Sequence, residues 1–256
     1  LPLIPHYLSQ MLLIQSDRIM IDRLVGSGPA AIYSVAYNVS LIMSLVTNSL
    51  VATYIPSLYS DLKNKNIKDI QDRSLTLNVI VAVLTIVAML FGPELIKIFA
   101  TEEYYQAIWI IPPVAMSVFF NSIYSVFVNI EFYYEKTKYV MYVTVVLAGL
   151  NIVLNYIGIK IFGYVAAGYT TFLCYLLFCI GHYFVYKKML RSMSIEHEYV
   201  KICDTVKLAA WMVLAMIGCL LVYNITALRY LLIILITGIC IWKRKKVLSY
   251  IKELKI

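Results

Sequence analysis

Residues 75–99 read LTLNVIVAVLTIVAMLFGPELIKIF, a nearly uncharged run long enough to cross a lipid bilayer as a helix. A hydrocarbon layer of about 30 Å takes roughly 20 apolar helical residues at about 1.5 Å of rise each. Seven further runs of this kind occupy residues 3–25, 31–58, 108–133, 140–157, 164–186, 208–223 and 228–242, separated by short polar gaps. A water-soluble core would not need so many such runs in 256 residues, and 62% hydrophobic residues with a mean hydropathy of +0.81 agree. The fold expected is therefore all-α, polytopic and embedded in a membrane. Continuous runs without a two-residue alternation favour helices over the β-barrel, the other structure that lipid permits. The last two runs are short, and Lys207, Arg229 and Lys243 at their ends are expected to snorkel and extend them.

Basic residues set the orientation. Most of the 22 Lys and Arg residues fall in alternate gaps and in the tail: Lys63, Lys65, Lys68, Arg73, Lys136, Lys138, Lys187, Lys188, Arg191, Lys201, Lys207, and six more from Lys243 to Lys255. That side is expected to be cytoplasmic, with both chain ends on it. A basic inner surface facing anionic membrane lipids accounts for the net charge of +8, so no nucleic-acid partner is expected. Cys174, Cys179, Cys219 and Cys240 lie in apolar runs and Cys203 in a gap; they read as small hydrophobes, with no metal-site spacing and no cofactor expected. The first run is too long for a signal peptide, and a start at Leu1-Pro2 without Met suggests part of a longer protein.

Outer gaps, at residues 26–30, 100–107, 158–163 and 224–227, are too small for a catalytic domain. The inner gaps 59–74 and 187–207 are longer. The second, with the mixed sequence KKMLRSMSIEHEYVKICDTVK, divides residues 1–186, a compact six-span array, from residues 207–256, two shorter spans and the basic tail KRKK. Residues 187–206 between them are expected to form a cytoplasmic linker or an interfacial amphipathic helix, preferably the helix.

Charge inside a span is the sharpest functional signal. In QMLLIQSDRIMIDRLVG, residues 10–26, Asp17 and Arg18 lie within roughly 4–6 Å of the first run's midpoint, where ionised groups face protein or a wet cavity. Gln15, Arg18 and Asp22 share one face, and Arg18 with Asp22 has ion-pair spacing. Asp17 points about 100° away. Arg23 is expected to anchor the helix end at the headgroups. A guanidinium at this depth suits a phosphate- or carboxylate-bearing substrate, which its planar fork binds bidentately.

The amides Asn38, Asn48, Asn78, Asn121, Asn129, Asn151 and Asn155 are expected to bond helix to helix in most cases, with a substrate contact as the alternative for any one, Asn48 included. Glu131, closing the fourth run, is expected to meet Lys136, Lys138 or water, with a proton-coupling or substrate role as the alternative; His6 reads as interfacial. Pro112-Pro113 and Gly92-Pro93 interrupt the helical ladder and are candidate hinges. Gly149, Gly163, Ala166, Ala167 and Gly168 are expected to let helices approach closely.

Taken together, LPLIPHYLSQMLLIQSDRIMIDRLVG followed by IYSVAYNVSLI resembles the seventh and eighth helices of bacterial lipid-linked oligosaccharide flippases of the Wzx type. Shared features are Pro2, Pro5, Asp17, Arg18 and the run from Tyr33 to Tyr37. Further matches are ATYIPSLYSDL around Pro56, FGPELIKIFATEEYYQA around Pro93 and Tyr104, NIEFYYEKTK around Glu131, and NIVLNYIGIKIFGYVAAGYTT over residues 151–171. Their common order holds across residues 1–186.

The resemblance implies a fold of the multidrug/oligosaccharidyl-lipid/polysaccharide exporter superfamily, in which two six-helix bundles face a central cavity open alternately to either side. It also implies movement of undecaprenyl-pyrophosphate-linked sugar units to the outer leaflet of a bacterial cytoplasmic membrane, with no bond made and no enzyme activity. Arg18 would then attract pyrophosphate or anionic sugars, and Asp17 would set its field or join in ion coupling. Only the second bundle is present, so this chain is expected to be the C-terminal half, needing the missing N-terminal six-helix half as partner. A cation-coupled drug or metabolite exporter of the same superfamily is the alternative with the same fold. An integral-membrane polysaccharide polymerase or acyltransferase is the alternative of another class, and would need polar clusters at the membrane edge that the short outer gaps do not supply.

Overall fold

The computed structural model describes the backbone of residues 3–242 and the side chains of residues 4–238. Among the described residues the regular elements are helical: α1 (Leu3–Leu24), α2 (Ser27–Asn64), α3 (Ile67–Phe99), a 3₁₀ segment (Glu102–Trp109), α4 (Ile111–Tyr133), α5 (Thr137–Phe162), α6 (Ala166–Ser192), α7 (Ile202–Val222) and α8 (Thr226–Trp242). Six of them, α2 to α7, are long and apolar enough to cross a membrane, and the chain is a multi-pass membrane protein. The eight spans expected thus become six, with two set apart. Asp17, Arg18, Asp22 and Arg23 lower the apolarity of α1, and α8 has 17 residues. Pro2, the side chain of Cys240 and the basic tail from Lys243 onward lie outside the described residues.

α4 occupies the centre. It is buried along nearly its whole length, as a predominantly apolar helix surrounded by others would be. α2, α3, α6 and α7 pack around it, while α1 lies against α5 and α2. Gly168 lets α6 close on the start of α4: a Cβ there would stand 3.2 Å from Ile110 and 3.3 Å from Pro113. The same role expected of Gly149 and Gly163 does not hold. A Cβ on Gly149 meets open space, and Gly163, at φ +80°, ends α5 in a conformation that favours glycine.

The inner gap 59–74 is not a loop. α2 has 38 residues and is about 57 Å long, so it outruns the hydrocarbon layer and continues as helix beyond it. A tight turn at Lys65, in the left-handed region at φ 57°, joins it to α3. Asp61 staples that turn by accepting bonds from Arg73 Nη1 at 2.8 Å and Asn66 Nδ2 at 3.4 Å.

Nor do residues 187–206 form a separate interfacial helix. α6 runs on to Ser192, and an irregular segment then leads into α7. Tyr199 and Val200 of that segment are buried, and the Tyr199 amide donates to Tyr186 Oη at 2.7 Å. Tyr134 and Tyr199 join hydroxyls at 2.6 Å, while Lys201 pairs with Asp72 at 2.5 Å and Lys187 with Glu198. These partners come from α3, α6 and the turn after α4, so the segment is held by tertiary bonds rather than by an amphipathic face.

The prolines differ from one another. Pro112 and Pro113 do not bend a continuous span; they sit at the first positions of α4, just after the 3₁₀ segment, where a missing amide hydrogen costs nothing. Pro93, like Pro56 in α2, lies inside a helix that continues past it. Arg229 does not snorkel. It is 2% exposed and pairs with Glu94 of α3, which also accepts from Tyr230 Oη at 3.0 Å. The α7–α8 pair is thereby tied to α3.

Candidate functional site

A cavity of about 270 Å³ lies among α1, α2, α4 and α6. Each helix contributes polar side chains at turn spacing: Gln10 from α1; Ser40, Ser44 and Asn48 from α2; Ser117 and Asn121 from α4; and Thr171 from α6. Tyr37 and Tyr175 supply aromatic faces, and Ile14, Leu41, Val114 and Val118 fill the rest. Every polar side chain lining the cavity is neutral. Amides and hydroxyls can both donate and accept, and tyrosine rings offer flat apolar faces, so the lining suits a ligand that presents hydroxyls on a partly apolar ring.

Asp17 stands behind this wall. Its side chain is completely buried, and it accepts hydrogen bonds from Tyr33 Oη at 2.6 Å, Thr171 Oγ1 at 2.8 Å and Asn155 Nδ2 at 2.5 Å. Ser16 adds a longer one at 3.5 Å and also donates to Asn151 Oδ1 at 3.2 Å. Asn155 Nδ2 reaches Asn151 Oδ1 at 3.1 Å, and Thr170 Oγ1 donates to Asn155 Oδ1. Four helices, α1, α2, α5 and α6, therefore converge on one carboxylate through neutral donors. Thr171 belongs both to this cluster and to the cavity lining.

Arg18 points elsewhere, as its place one residue along the helix requires. Its guanidinium lies 4.7 Å from the Tyr37 ring centroid and donates through Nη2 to Asn38 Oδ1 at 3.2 Å; Nε is buried without a partner. Tyr37 thus carries Arg18 on one side and lines the cavity as well. Gln15, Asp22 and Arg23 are exposed along the open side of α1, and among the described residues Arg18 bonds to Asn38 rather than to any of them. Asn48 and Asn121 line the cavity; Asn78, which accepts from Ser122 at 2.9 Å, and the pair Asn151 and Asn155 join helix to helix.

Glu131 corrects an expectation. It does not meet Lys136, Lys138 or water: it is fully buried, and its two oxygens lie 2.9 and 3.2 Å from His182 Nδ1 of α6. His6, expected at the interface, is also buried, with Nδ1 donating to Thr144 Oγ1 at 2.8 Å. Sequence reasoning missed His182, Tyr33 and Thr171 because each stands in an otherwise apolar or mixed run. The available signal was a second ionisable residue, His182, at a depth where such groups are rare.

Comparison with known families places residues 2–157 in the MatE model, and the chain belongs to that family. A multi-pass helical bundle carrying a polar cavity between its helices is the class that its fold defines. Among solved structures it is similar to a MOP superfamily transporter from Pyrococcus furiosus, at 18% identity with a TM-score of 0.59, over 84% of this chain and 51% of that one. It is also similar to a multidrug resistance MATE family transporter of the MOP superfamily in an outward-facing conformation, at 18% identity, TM-score 0.59, 86% of this chain and 51% of that one. The Vibrio cholerae MATE transporter VcmN in its bent form matches at 16% identity, TM-score 0.57, 86% and 52%. At these identities the likeness is one of fold, and the chain spans about half the length of each structure. No curated protein matches the chain.

Proposed function

We propose that this chain is one six-helix half of a transporter that moves a lipid-linked oligosaccharide across the bacterial cytoplasmic membrane. The cavity carries the reading: it is walled by neutral amides, hydroxyls and two tyrosines, with a guanidinium 4.7 Å from the Tyr37 ring centroid. Sugars would engage the amides and hydroxyls, and Arg18 would meet the pyrophosphate or an anionic sugar at the rim. With Nη2 bonded to Asn38, the outer end of the guanidinium keeps further donors for such a ligand. Asp17, held behind Thr171, would bias the field at the wall. A cation-selecting exporter would be expected to place a carboxylate in the lining, and Asp17 is instead turned away among its donors.

The open side of α1 and α2, with Ile4, Leu8, Met11 and Leu12 on one helix and Ile42, Leu45 and Val46 on the other, would meet the N-terminal six-helix half. Expressing the chain with and without such a half, in cells whose own flippase is deleted, tests the reading through surface polysaccharide. Export is expected only with both parts. Restoration by this chain alone would overturn its role as a half, and efflux of cationic dyes in place of polysaccharide export would favour the drug exporter. In the complete assembly Arg18→Ala should abolish export and Arg18→Lys should restore little, because an ammonium cannot reproduce the fork.

A further inference from the structure

Glu131 and His182 play no part in the cavity wall, yet both are fully buried inside the bundle. Two ionisable groups in that position are costly to keep, and a partner of opposite type within hydrogen-bond reach is what makes them tolerable. We propose that the Glu131–His182 pair is a proton-binding site within the transmembrane bundle, loading and releasing one proton between a carboxylate and an imidazole.

The geometry supports this at three points. First, His182 Nδ1 lies within hydrogen-bond distance of both Glu131 oxygens, so a proton can reside on either group without a rearrangement of the ring. Second, His182 Nε2 is buried with no hydrogen-bond partner among the described residues, so within them only Glu131 acts on the tautomer of the imidazole. Third, the pair is linked to the cavity. The Tyr124 ring stands edge-on to His182 at 4.9 Å, and Gln10, a cavity residue of α1, donates to Tyr124 Oη at 2.9 Å.

The titratable surroundings are few. α1 contributes His6, which donates to Thr144 of α5; α4 contributes Tyr124; and α6 contributes Cys179, whose thiol donates to the Phe120 carbonyl. From α5 the Thr144 hydroxyl meets His6. Neither Lys136 nor Lys138 forms an ion pair with Glu131, so the carboxylate answers to His182.

Infrared titration of the purified chain in lipid nanodiscs tests the site without any transport assay. The carboxylic acid C=O band is followed against pH, with ¹³C-glutamate labelling to separate glutamates from Asp17 in the unaltered protein. A buried glutamic acid band should appear and vanish reversibly, disappear in Glu131→Gln, and shift by at least about one pH unit, a tenfold change in proton affinity, in His182→Gln. Should the labelled band stay constant across the accessible pH range, or titrate identically in His182→Gln, the proposal fails. Whether the band titrates at all is read from the labelled unaltered protein, even if a variant does not fold. Because the measurement needs no sugar, its failure leaves the cavity reading standing, and failure of polysaccharide export leaves the proton site standing.

Discussion

Tyr223, the residue that caps α7, donates its hydroxyl to the Met89 carbonyl of α3 at 2.5 Å, the carbonyl that Pro93, four residues on, cannot satisfy. A proline inside a transmembrane helix frees one backbone acceptor, and in lipid that acceptor has no water to turn to. Tyr223, at the end of α7, supplies the donor. Gly92 makes the approach available, since a Cβ there would stand 3.0 Å from the Tyr223 oxygen and 3.1 Å from Ile111.

Removing that hydroxyl should loosen α3 at its proline. Tyr223→Phe keeps the ring near Trp109 at 5.9 Å between centroids but leaves the Met89 carbonyl bare. A loss of about 1 kcal/mol is expected, within the range for interhelical bonds in membranes, together with faster amide exchange in the turn around Pro93. Hydrogen exchange read by mass spectrometry on α3 peptides checks it; unchanged exchange there would show that the carbonyl finds another partner.

Arg229 and Glu94 offer a sharper test of how α8 is held. Breaking one partner leaves a largely buried charge, so Arg229→Met or Glu94→Leu alone should cost about 3–5 kcal/mol. The double variant replaces both charges by apolar groups and should recover most of the loss. Thermal unfolding in detergent, followed by the exposure of buried Cys174 or Cys179 to a thiol reagent, measures both.

Asp17 is predicted to be intolerant of an amide. Tyr33, Thr171 and Asn155 all aim donors at its two oxygens, and Asp17→Asn would turn an NH₂ group against at least one of them. An expected loss of about 1–3 kcal/mol follows from the stranded donor. Arg23→Gln, on the exposed side of the same helix, should change stability by less than about 0.5 kcal/mol. Equal losses in the two variants would remove the special standing of the Asp17 cluster.

Much of this architecture was legible from apolar run length, because a hydrocarbon layer imposes one helical length on every crossing. Helix ends were not, since charged residues such as Lys63 and Asp61 continue α2 beyond the lipid as readily as a loop would. Depth marked Asp17 as buried, but its three closest partners come from positions 16 to 154 residues away in sequence, which no local pattern encodes. Arg18 and Asp22 show the converse: helical spacing places them on one face, yet the guanidinium is drawn instead to the Tyr37 ring and Asn38. Glu131 differs for a related reason. Proximity in sequence favours Lys136, whereas the bundle brings His182 to it from 51 residues away.

Two glycines that look alike in sequence should respond oppositely to one methyl group. Gly168→Ala places a Cβ 3.2 Å from Ile110 and 3.3 Å from Pro113, at the helix start where α4 has least freedom to retreat because the two prolines fix its backbone. The expected cost is about 1–3 kcal/mol, the usual range for overpacking. Gly149→Ala places its methyl in open space on α5, relieves the conformational freedom of the unfolded chain, and should be neutral or stabilising by up to about 1 kcal/mol. Because α6 carries Thr171 and Tyr175 into the cavity wall, Gly168→Ala should also disturb that wall, whereas Gly149→Ala should not. Thermal unfolding of both variants, paired with polysaccharide export in the complete assembly, checks the contrast. Equal behaviour would mean that the α4–α6 contact is looser than these distances imply.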